Sequence, residues 1–334
     1  MPNEKNEQQE KENALVTAMK ELNKKYGKGT VMKLDEDNKI EVEAIPTGCY
    51  SLDYVFGCGG LPRGRIIEIF GEPGTGKSTL SMFLAANIQK QGGRVLLVDN
   101  EFAFDSNYAK KIGVDINSLI LSQPSTAEES LDIIDEMIRS NSVDLIILDS
   151  VASLTPKKEL EGEIGDQDVA LIARLMSKAL RVLTGNISRT KTCMVFINQT
   201  RSNIGIYWGN KNTSSGGKAL KFYSSIRLEV KGGKKIKNSK DEVIGNEMNI
   251  VAVKNKVAFP WRGAKLDIVF GEGISTEGDL FDVATKNKII NKSGNMYSFD
   301  GTDLKVGRDH SIKFLKENVE ILEKVKEKLN NSPH

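Results

Sequence analysis

Four short runs of apolar, mostly β-branched residues constrain the fold of this chain more than any other feature. Each run is nearly continuous in apolar character and is followed by sequence with helical spacing. Strands of this kind are buried on both faces, so they predict an α/β fold with a mostly parallel sheet covered by helices on both faces. The four runs are Arg65–Phe70, Arg94–Asp99, Val143–Asp149 and Thr192–Asn198.

A glycine-rich loop directly follows the first of these strands and leads into a predicted helix. In such a loop, backbone N–H groups surround a phosphate at the helix N-terminus, a lysine reaches the outer phosphates and a hydroxyl binds Mg²⁺. The spacing therefore predicts a site for a nucleoside triphosphate with Mg²⁺; the alternative is a tight glycine turn without a ligand. The residues that fit the spacing are Gly71, Glu72, Pro73, Gly74, Thr75, Gly76, Lys77 and Ser78.

Three polar side chains stand at the carboxyl ends of the other predicted strands, where open α/β sheets bind their ligands. Asp149 is placed to hold Mg²⁺ directly or through water. Glu101 is placed to orient and deprotonate an attacking water. The Gln199 amide could sense whether the outermost phosphate is present. On spacing alone, Asp149 could equally be a helix cap and Glu101 a surface acid.

The net charge of +2 conceals a strong asymmetry along the chain. Residues 170–240 contain 15 basic residues and a single acid, Glu229, whereas residues 99–168 contain 16 acids and 5 bases. The positive charges of residues 170–240 repel one another unless this segment faces a polyanion. The charge pattern therefore predicts nucleic acid as a partner. The alternative is a basic face in contact with solvent only.

Other features bound the architecture and the location. Residues 13–26 have helical spacing with an exposed apolar stripe, the sequence after Ser224 alternates as in antiparallel edge strands, and Ser125–Glu128 fits a capping box. Residues 275–330 read as a small α+β domain that ends in one helix. Three cysteines and two histidines cannot make a disulfide framework or a Cys/His zinc site. With no apolar run near the roughly 18 residues of a membrane span and no secretory signal, we expect a cytoplasmic protein without a membrane partner.

Motifs along almost the whole chain resemble the RecA family of bacterial DNA recombinases. They include TGCYSLDYVFGCGGLPRGRIIEIFG, DSVASLTPKKELEGEIGD, FINQTRSNIGIYWGN, SSGGKALKFYSSIRLEV and VAVKNKVAFP, in the order of the family. The resemblance implies a RecA-like P-loop core, DNA-dependent ATP hydrolysis and filaments on single-stranded DNA. It further implies strand exchange with homologous duplex DNA in recombination, repair and the SOS response.

The resemblance also assigns domains and further partners. Residues 1–38 would be an N-terminal helix and polymerisation segment, 39–274 the ATPase core with its DNA-binding loops, and 275–334 the C-terminal domain. Partners would be single- and double-stranded DNA, further copies of the chain in a helical filament, a LexA-type repressor, and single-strand-binding or mediator proteins.

Residue roles follow from the resemblance position by position. Glu101 would activate water, Gln199 would report the nucleotide state to the DNA-binding loop that follows it, and ATP would bind with Mg²⁺. Lys77, Ser78, Thr79 and Asp149 would hold phosphate and metal, with Ser78 and Asp149 as the metal ligands. Asp105 and Tyr108 would contact adenine, and Lys254 and Lys256 would reach ATP across a subunit interface. A first DNA-binding loop would run from Glu161 to about Val169, and a second from Thr200 to about Ser214. The DNA-binding residues, in these loops or next to them, would be Val169, Arg174, Arg181, Arg201, Ile204, Gly216, Gly217 and Lys218.

Departures from the family pattern leave rival functions open. Asn100 and Phe102 flank Glu101 where the family usually has a small residue and a histidine, so water positioning could differ and hydrolysis could be slow. The rivals are a hexameric RecA-like helicase motor, a P-loop kinase for a small molecule, and a DNA-binding scaffold with a crippled ATPase.

Overall fold

The computed structural model describes residues 2–27, 29–33, 42–162, 169–202, 212–214, 216–238 and 240–331. The chain forms two compact units, one that ends at Val42 and one that begins at Glu43. The domain boundaries predicted after residues 38 and 274 stay predictions. Among the described residues, no helix has the length and apolar character needed to cross a membrane.

The first unit consists of one long helix and a short segment folded back on it. The helix, α1 (Pro2–Tyr26), begins well before the predicted residue 13. The Asn23 side chain donates a hydrogen bond to the Val31 carbonyl (2.8 Å) and accepts one from its N–H (3.0 Å), which closes the turn after the helix. Leu15 and Val16 are 45% and 40% exposed, so this unit leaves the predicted apolar stripe of its helix open.

The second unit contains all the remaining elements. Its strands are β1 (Ala44–Ile45), β2 (Leu61–Pro62), β3 (Ile66–Gly71), β4 (Val95–Asp99), β5 (Ile120–Ser122), β6 (Leu145–Asp149), β7 (Cys193–Ser202), β8 (Asn212–Ser214), β9 (Ile226–Lys237), β10 (Val243–Asn255), β11 (Gly263–Val269), β12 (Gly273–Ile274), β13 (Asn291–Ser293), β14 (Met296–Phe299) and β15 (Thr302–Val306). Its helices are α2 (Tyr50–Phe56), α3 (Lys77–Lys90), α4 (Ser106–Ile112), α5 (Ala127–Arg139), α6 (Lys157–Glu161), α7 (Val169–Thr190), α8 (Ala219–Tyr223), α9 (Thr276–Lys286), α10 (Arg308–Glu317) and α11 (Val319–Asn330), with a 3₁₀ turn at Val151–Ser153.

The central sheet confirms the predicted α/β architecture. Its strand order is β12-β11-β10-β9-β3-β7-β6-β4-β5, and β8 pairs with the end of β7. The strands from β9 to β5 pair in parallel, and β9, β10, β11 and β12 pair with one another antiparallel. The four apolar runs are β3, β4, β6 and β7, as predicted. The strand β9 differs from the prediction of antiparallel edge strands, because it pairs in parallel with β3 and continues the core.

Helices cover both faces of this sheet. Alternate residues of each strand point to opposite faces, so Ile67 and Ile69 join one buried cluster with α3, whereas Ile66 joins another with α5 and α7. Both faces of β3, β4, β6 and β7 are therefore dry, and the carboxyl ends of these strands are the place where polar side chains can gather.

Helix α5 begins one residue later than its predicted capping box. Thr126, not Ser125, is the N-cap: its hydroxyl accepts the Glu129 N–H, and the Glu129 carboxylate accepts the Thr126 N–H. Ser125 also donates its N–H to Glu129. The sequence has a hydroxyl at both positions. Thr126 is the N-cap because its backbone is extended, whereas Ala127 is already helical.

The C-terminal part has its own small core. The strands β13, β14 and β15 form an antiparallel sheet, and α9, α10 and α11 pack around Phe281, Phe299 and Leu315. The single terminal helix of the prediction is two helices, because Asn318 takes non-helical backbone angles (φ −118°, ψ 77°) between α10 and α11. The Asn318 side chain donates to the Phe314 carbonyl, which satisfies the end of α10.

Two sets of polar contacts, one of them buried, join this C-terminal part to the elements that precede it. Asp279 is 5% exposed and accepts the backbone N–H of Ser51 at the start of α2. Arg308 forms ion pairs with Asp267 of β11 and with Asp282 of α9.

We expect the substitution Phe281→Ala to lower the free energy of unfolding of the C-terminal part by about 3–5 kcal/mol. The ring is 1% exposed and meets Tyr297 edge-on at 4.9 Å, so truncation leaves a cavity. Urea unfolding followed by hydrogen exchange of α9 measures the loss. Phe259→Ala is the control, because Phe259 is 77% exposed; equal losses in the two variants would contradict the packing described.

The raised pKa of the Asp53 carboxyl makes the stability of the chain depend on pH. Burial raises its pKa to about 6 from 3.8, despite the hydrogen bonds that its Oδ1 accepts from the Thr47 N–H and hydroxyl. Because the folded pKa is the higher one, the free energy of unfolding falls as pH rises from about 4 to about 6, by up to about 3 kcal/mol. Asp53→Asn should lower this slope in urea titrations at several pH values, leaving the share of Asp149, whose pKa is also raised to about 6, whereas Asp132→Asn, at an exposed position, should keep the full slope. An unchanged slope in Asp53→Asn would contradict the assignment.

Candidate nucleotide and DNA site

The phosphate loop connects the last residue of β3 to the first residue of α3. Gly76 is the N-cap of α3 in the left-handed conformation (φ 91°), and a Cβ there would lie 2.5 Å from the Ile268 side chain. Gly71 is equally tight, since a Cβ would lie 2.1 Å from the Val230 carbonyl oxygen. Side chains are thus excluded where the loop meets the sheet, and the free N–H groups of α3 face outward as an anion site.

Lys77 is held across this loop. The side chain is buried, and its Nζ donates to the Gly71 carbonyl (3.1 Å) and the Glu72 carbonyl (2.7 Å). Burial lowers the pKa of Lys77, while the nearby carboxylates of Asp149 and Glu101 oppose that shift. An anion bound in the loop would give this ammonium the compensating charge that carbonyl dipoles provide only in part.

Ser78 and Asp149 form the candidate metal site. The Ser78 hydroxyl donates to Asp149 Oδ2 at 2.8 Å. Burial, together with the charges of Glu101 and Asp99, raises the pKa of Asp149 to about 6, against the Ser78 hydrogen bond. This crowding of carboxylates favours a cation. Mg²⁺ is commonly bound through one or two protein oxygens together with phosphate and water, and Ser78 and Asp149 offer two such oxygens.

Glu101 and Gln199 are in direct contact, although one strand lies between theirs. Glu101 Oε1 accepts hydrogen bonds from Gln199 Nε2 (2.8 Å) and from the Ser150 hydroxyl (2.6 Å). The sheet register explains the meeting, because Gln199 lies opposite Gly71 and Asp99 opposite Asp149 at the same edge. Ser150 was not identified from the sequence; its position directly after the strand-ending Asp149 was the available signal.

The two unusual neighbours of Glu101 point away from the phosphate loop. Asn100 is buried, and its Nδ2 donates to the Ser130 hydroxyl of α5 at 2.8 Å. Phe102 has a positive φ of 54° and is 60% exposed. Asp99 holds the backbone between them by accepting the Glu101 N–H at 3.1 Å. Beside these two neighbours, Glu101 keeps its contacts with Ser150 and Gln199, and the expected effect on water positioning stays a prediction.

A small cavity of about 120 Å³ opens beside Glu101 and Asp149, and Asp105 and Tyr108 line it. Asp105 is the N-cap of α4, where its Oδ1 accepts the N–H groups of Asn107 and Tyr108. The Tyr108 hydroxyl lies 2.8 Å from the Thr79 hydroxyl of α3. The two predicted adenine contacts thus lie beside the phosphate loop.

Lys254 and Lys256 do not lie among the residues around the phosphate loop of their own chain. Lys254 lies opposite Arg227 of β9, whereas Gly71 lies opposite Val230, nearer the carboxyl edge of β3. The Lys254 ammonium donates to the carbonyls of Lys221 and Phe222 at the end of α8 (2.7 and 2.9 Å). Within one chain, these lysines are therefore separate from the phosphate loop.

The predicted DNA-binding residues lie around the two loops, much of which falls outside the described residues, as does Ile204. Arg174 and Arg181 are exposed on α7, and Lys178 between them adds a third cation on the same helix face, which sequence reasoning missed. Val169 is the first residue of α7, Arg201 lies in β7, and Lys218 is exposed at the N-cap of α8.

Gly216 and Gly217 hold the backbone in place where the chain leaves the second DNA loop and enters α8. Both have positive φ (79° and 78°), and a Cβ would lie 2.6 Å from the Val151 side chain at Gly216 and 2.8 Å from Ala173 at Gly217. The Gly216–Gly217 backbone therefore packs closely against the 3₁₀ turn and against α7, the helix that follows the first loop.

Comparison with known proteins agrees with this geometry. Residues 13–275 match the RecA N-terminal domain and residues 278–333 the RecA C-terminal domain. Protein RecA of Clostridium novyi (strain NT) is 50% identical over 320 residues, which cover 96% of this chain and 91% of that protein. Protein RecA of Bacillus subtilis (strain 168) is 47% identical over 316 residues, 95% of this chain and 90% of that protein. The chain belongs to the RecA family.

Proposed function

We propose that this chain hydrolyses ATP on single-stranded DNA and uses the nucleotide to control a filament that exchanges strands with homologous duplex DNA. Membership of the RecA family supports DNA recombination, repair and the SOS response as its activity. One observation carries the mechanism: the Glu101 carboxylate and the Gln199 amide share a hydrogen bond at the edge of the sheet. The group placed to activate water thereby touches the strand that leads into the second DNA loop.

The residues of the site fit a nucleoside triphosphate with Mg²⁺. Lys77 and the N–H groups at the start of α3 bind the phosphates, and Ser78 and Asp149 offer oxygen ligands to the metal. When bound, Mg²⁺ offsets the negative charge of the phosphates and of the neighbouring carboxylates. Thr79 supports the phosphate site, while Asp105 and Tyr108 hold the base.

Glu101 acts as the general base. Its Oε1 is occupied by Ser150 and Gln199, so Oε2 is the oxygen that orients the attacking water and takes its proton. A phosphate that attracts the Gln199 amide would release Glu101 Oε1 and pull on the end of β7. Gln199 is in this way the residue that passes the nucleotide state to the loop beyond Thr200.

The DNA side of the site is basic: residues 170–240, which contribute most of it, contain a single acid, Glu229. Arg174, Lys178 and Arg181 supply phosphate contacts from α7, and Arg201 and Lys218 flank the second loop. Contacts to the backbone alone give binding that is independent of base sequence and strongly dependent on salt.

Lys254 and Lys256 complete the site of a neighbouring subunit in the filament. Their distance from the phosphate loop of their own chain supports this arrangement. The cytoplasm is the compartment we propose, and contacts with a LexA-type repressor or with mediator proteins stay predictions.

We expect ATP hydrolysis to rise on addition of single-stranded DNA, to fall with rising salt, and to drop by about 10²–10⁴-fold in Glu101→Gln, because the general base is lost while binding groups remain. Phosphate release at two salt concentrations measures this. Lys77→Ala should abolish nucleotide binding, and Glu136→Gln, at an exposed position of α5, should behave like the parent. Hydrolysis that is indifferent to DNA would contradict the proposal and favour a small-molecule kinase.

A further inference from the structure

Glu68 is a fully buried carboxylate in the middle of the central strand β3, where its neighbours Ile66, Ile67, Ile69 and Phe70 are buried and apolar. An ionised group in such a place is strongly unfavourable unless it is paired and hydrogen-bonded. None of the steps described for ATP hydrolysis uses this residue.

Each oxygen of Glu68 binds a different flanking strand. Oε1 accepts a hydrogen bond from Asn198 Nδ2 of β7 at 3.0 Å. Oε2 forms an ion pair with Arg227 Nε of β9, which lies directly opposite in register and stacks on the Phe70 ring at 4.3 Å. A carboxylate is needed here because it accepts on both sides at once.

On the β7 side, the contacts lead to the active site. Asn198 Oδ1 accepts the Gln199 N–H at 2.9 Å, so the Glu68 bond fixes which way the Asn198 amide faces. Gln199 in turn donates to Glu101. Glu68, Asn198, Gln199 and Glu101 therefore form one continuous chain of hydrogen bonds.

On the β9 side, the contacts lead to Lys254. Arg227 lies opposite Lys254 in the β9–β10 register, and the charges of Lys256 and Arg227 join burial in lowering the pKa of Lys254, while Glu68 opposes them. Lys254 holds the end of α8, the helix that follows the second DNA loop. The Glu68 carboxylate thus lies between the strand that carries Gln199 and the lysine that holds α8.

We propose that Glu68 is a positioning residue for the response to nucleotide: through Asn198 it sets the backbone of Gln199, and this inference rests on the proposed function of Gln199. In Glu68→Gln, Arg227 would take the single amide oxygen, and the new amide N–H₂ would face Asn198 Nδ2. Asn198 must then turn, which places its own N–H₂ against the Gln199 N–H. Gln199 loses its acceptor although no atom of the nucleotide site has changed.

The readout is the ratio of single-stranded DNA affinities in a non-hydrolysable ATP analogue and in ADP. We expect Glu68→Gln to lower this ratio about tenfold, with ADP affinity within about twofold of the parent because the phosphate loop is intact. Adding Arg227→Met frees the amide oxygen to accept from Asn198 again, so the double variant should regain most of the ratio. Asp279→Asn, another buried carboxylate bonded to a backbone N–H, is the matched control and should keep the parent ratio.

The outcomes separate this inference from the proposed function. A parent without any nucleotide-dependent change in DNA affinity would overturn the proposed function, and the inference with it. A responsive parent together with a folded Glu68→Gln that keeps its ratio, or an equal loss in Asp279→Asn, would overturn the inference alone. Should Glu68→Gln not fold, Asn198→Ala leaves the Glu68–Arg227 pair in place: the same loss of the ratio supports the inference, and a retained ratio overturns it.

Discussion

The parallel pairing of β3, β7, β6 and β4 is the constraint on which the rest of the site depends. Because these strands are buried on both faces, their register is fixed, and their carboxyl ends share one edge. That edge brings together Lys77, Asp149, Glu101 and Gln199, although they are far apart in the sequence. The site is therefore a property of the sheet, and the loops beyond it can change conformation without dispersing the groups that hold phosphate and metal.

The same edge concentrates charge that the protein alone does not balance. Burial raises the pKa of Asp149, aided by the charges of Glu101 and Asp99, and burial lowers the pKa of Lys77. Each of these groups gains its natural partner only when a phosphate and a cation are bound. Functional sites commonly retain such unfavourable groups at a cost in stability. Nucleotide binding then stabilises the folded chain by mass action, which suits a switch that assembles a filament only in the presence of ATP.

Local patterns in the sequence predicted the parallel core and the phosphate loop, because continuous apolar runs and glycine spacing are sufficient signals. Strand β5 was missed because it has only three, largely exposed residues. The break at Asn318 was missed because the apolar stripe continues through it in helical spacing. Glu68 could not be assigned from the sequence, because its partners lie 130 and 159 residues away and only the folded register reveals them.

In the proposed function, each ATP site is shared between neighbouring subunits, with Glu101 from one and Lys254 from the next. Mixing two inactive variants, Glu101→Gln and Lys254→Ala, tests it directly. In a head-to-tail filament, about a quarter of the interfaces of an equimolar mixture pair an intact Glu101 with an intact Lys254. The account predicts that DNA-dependent hydrolysis reappears in the mixture at about a quarter of the parent rate. A mixture no more active than the average of the two variants would contradict it.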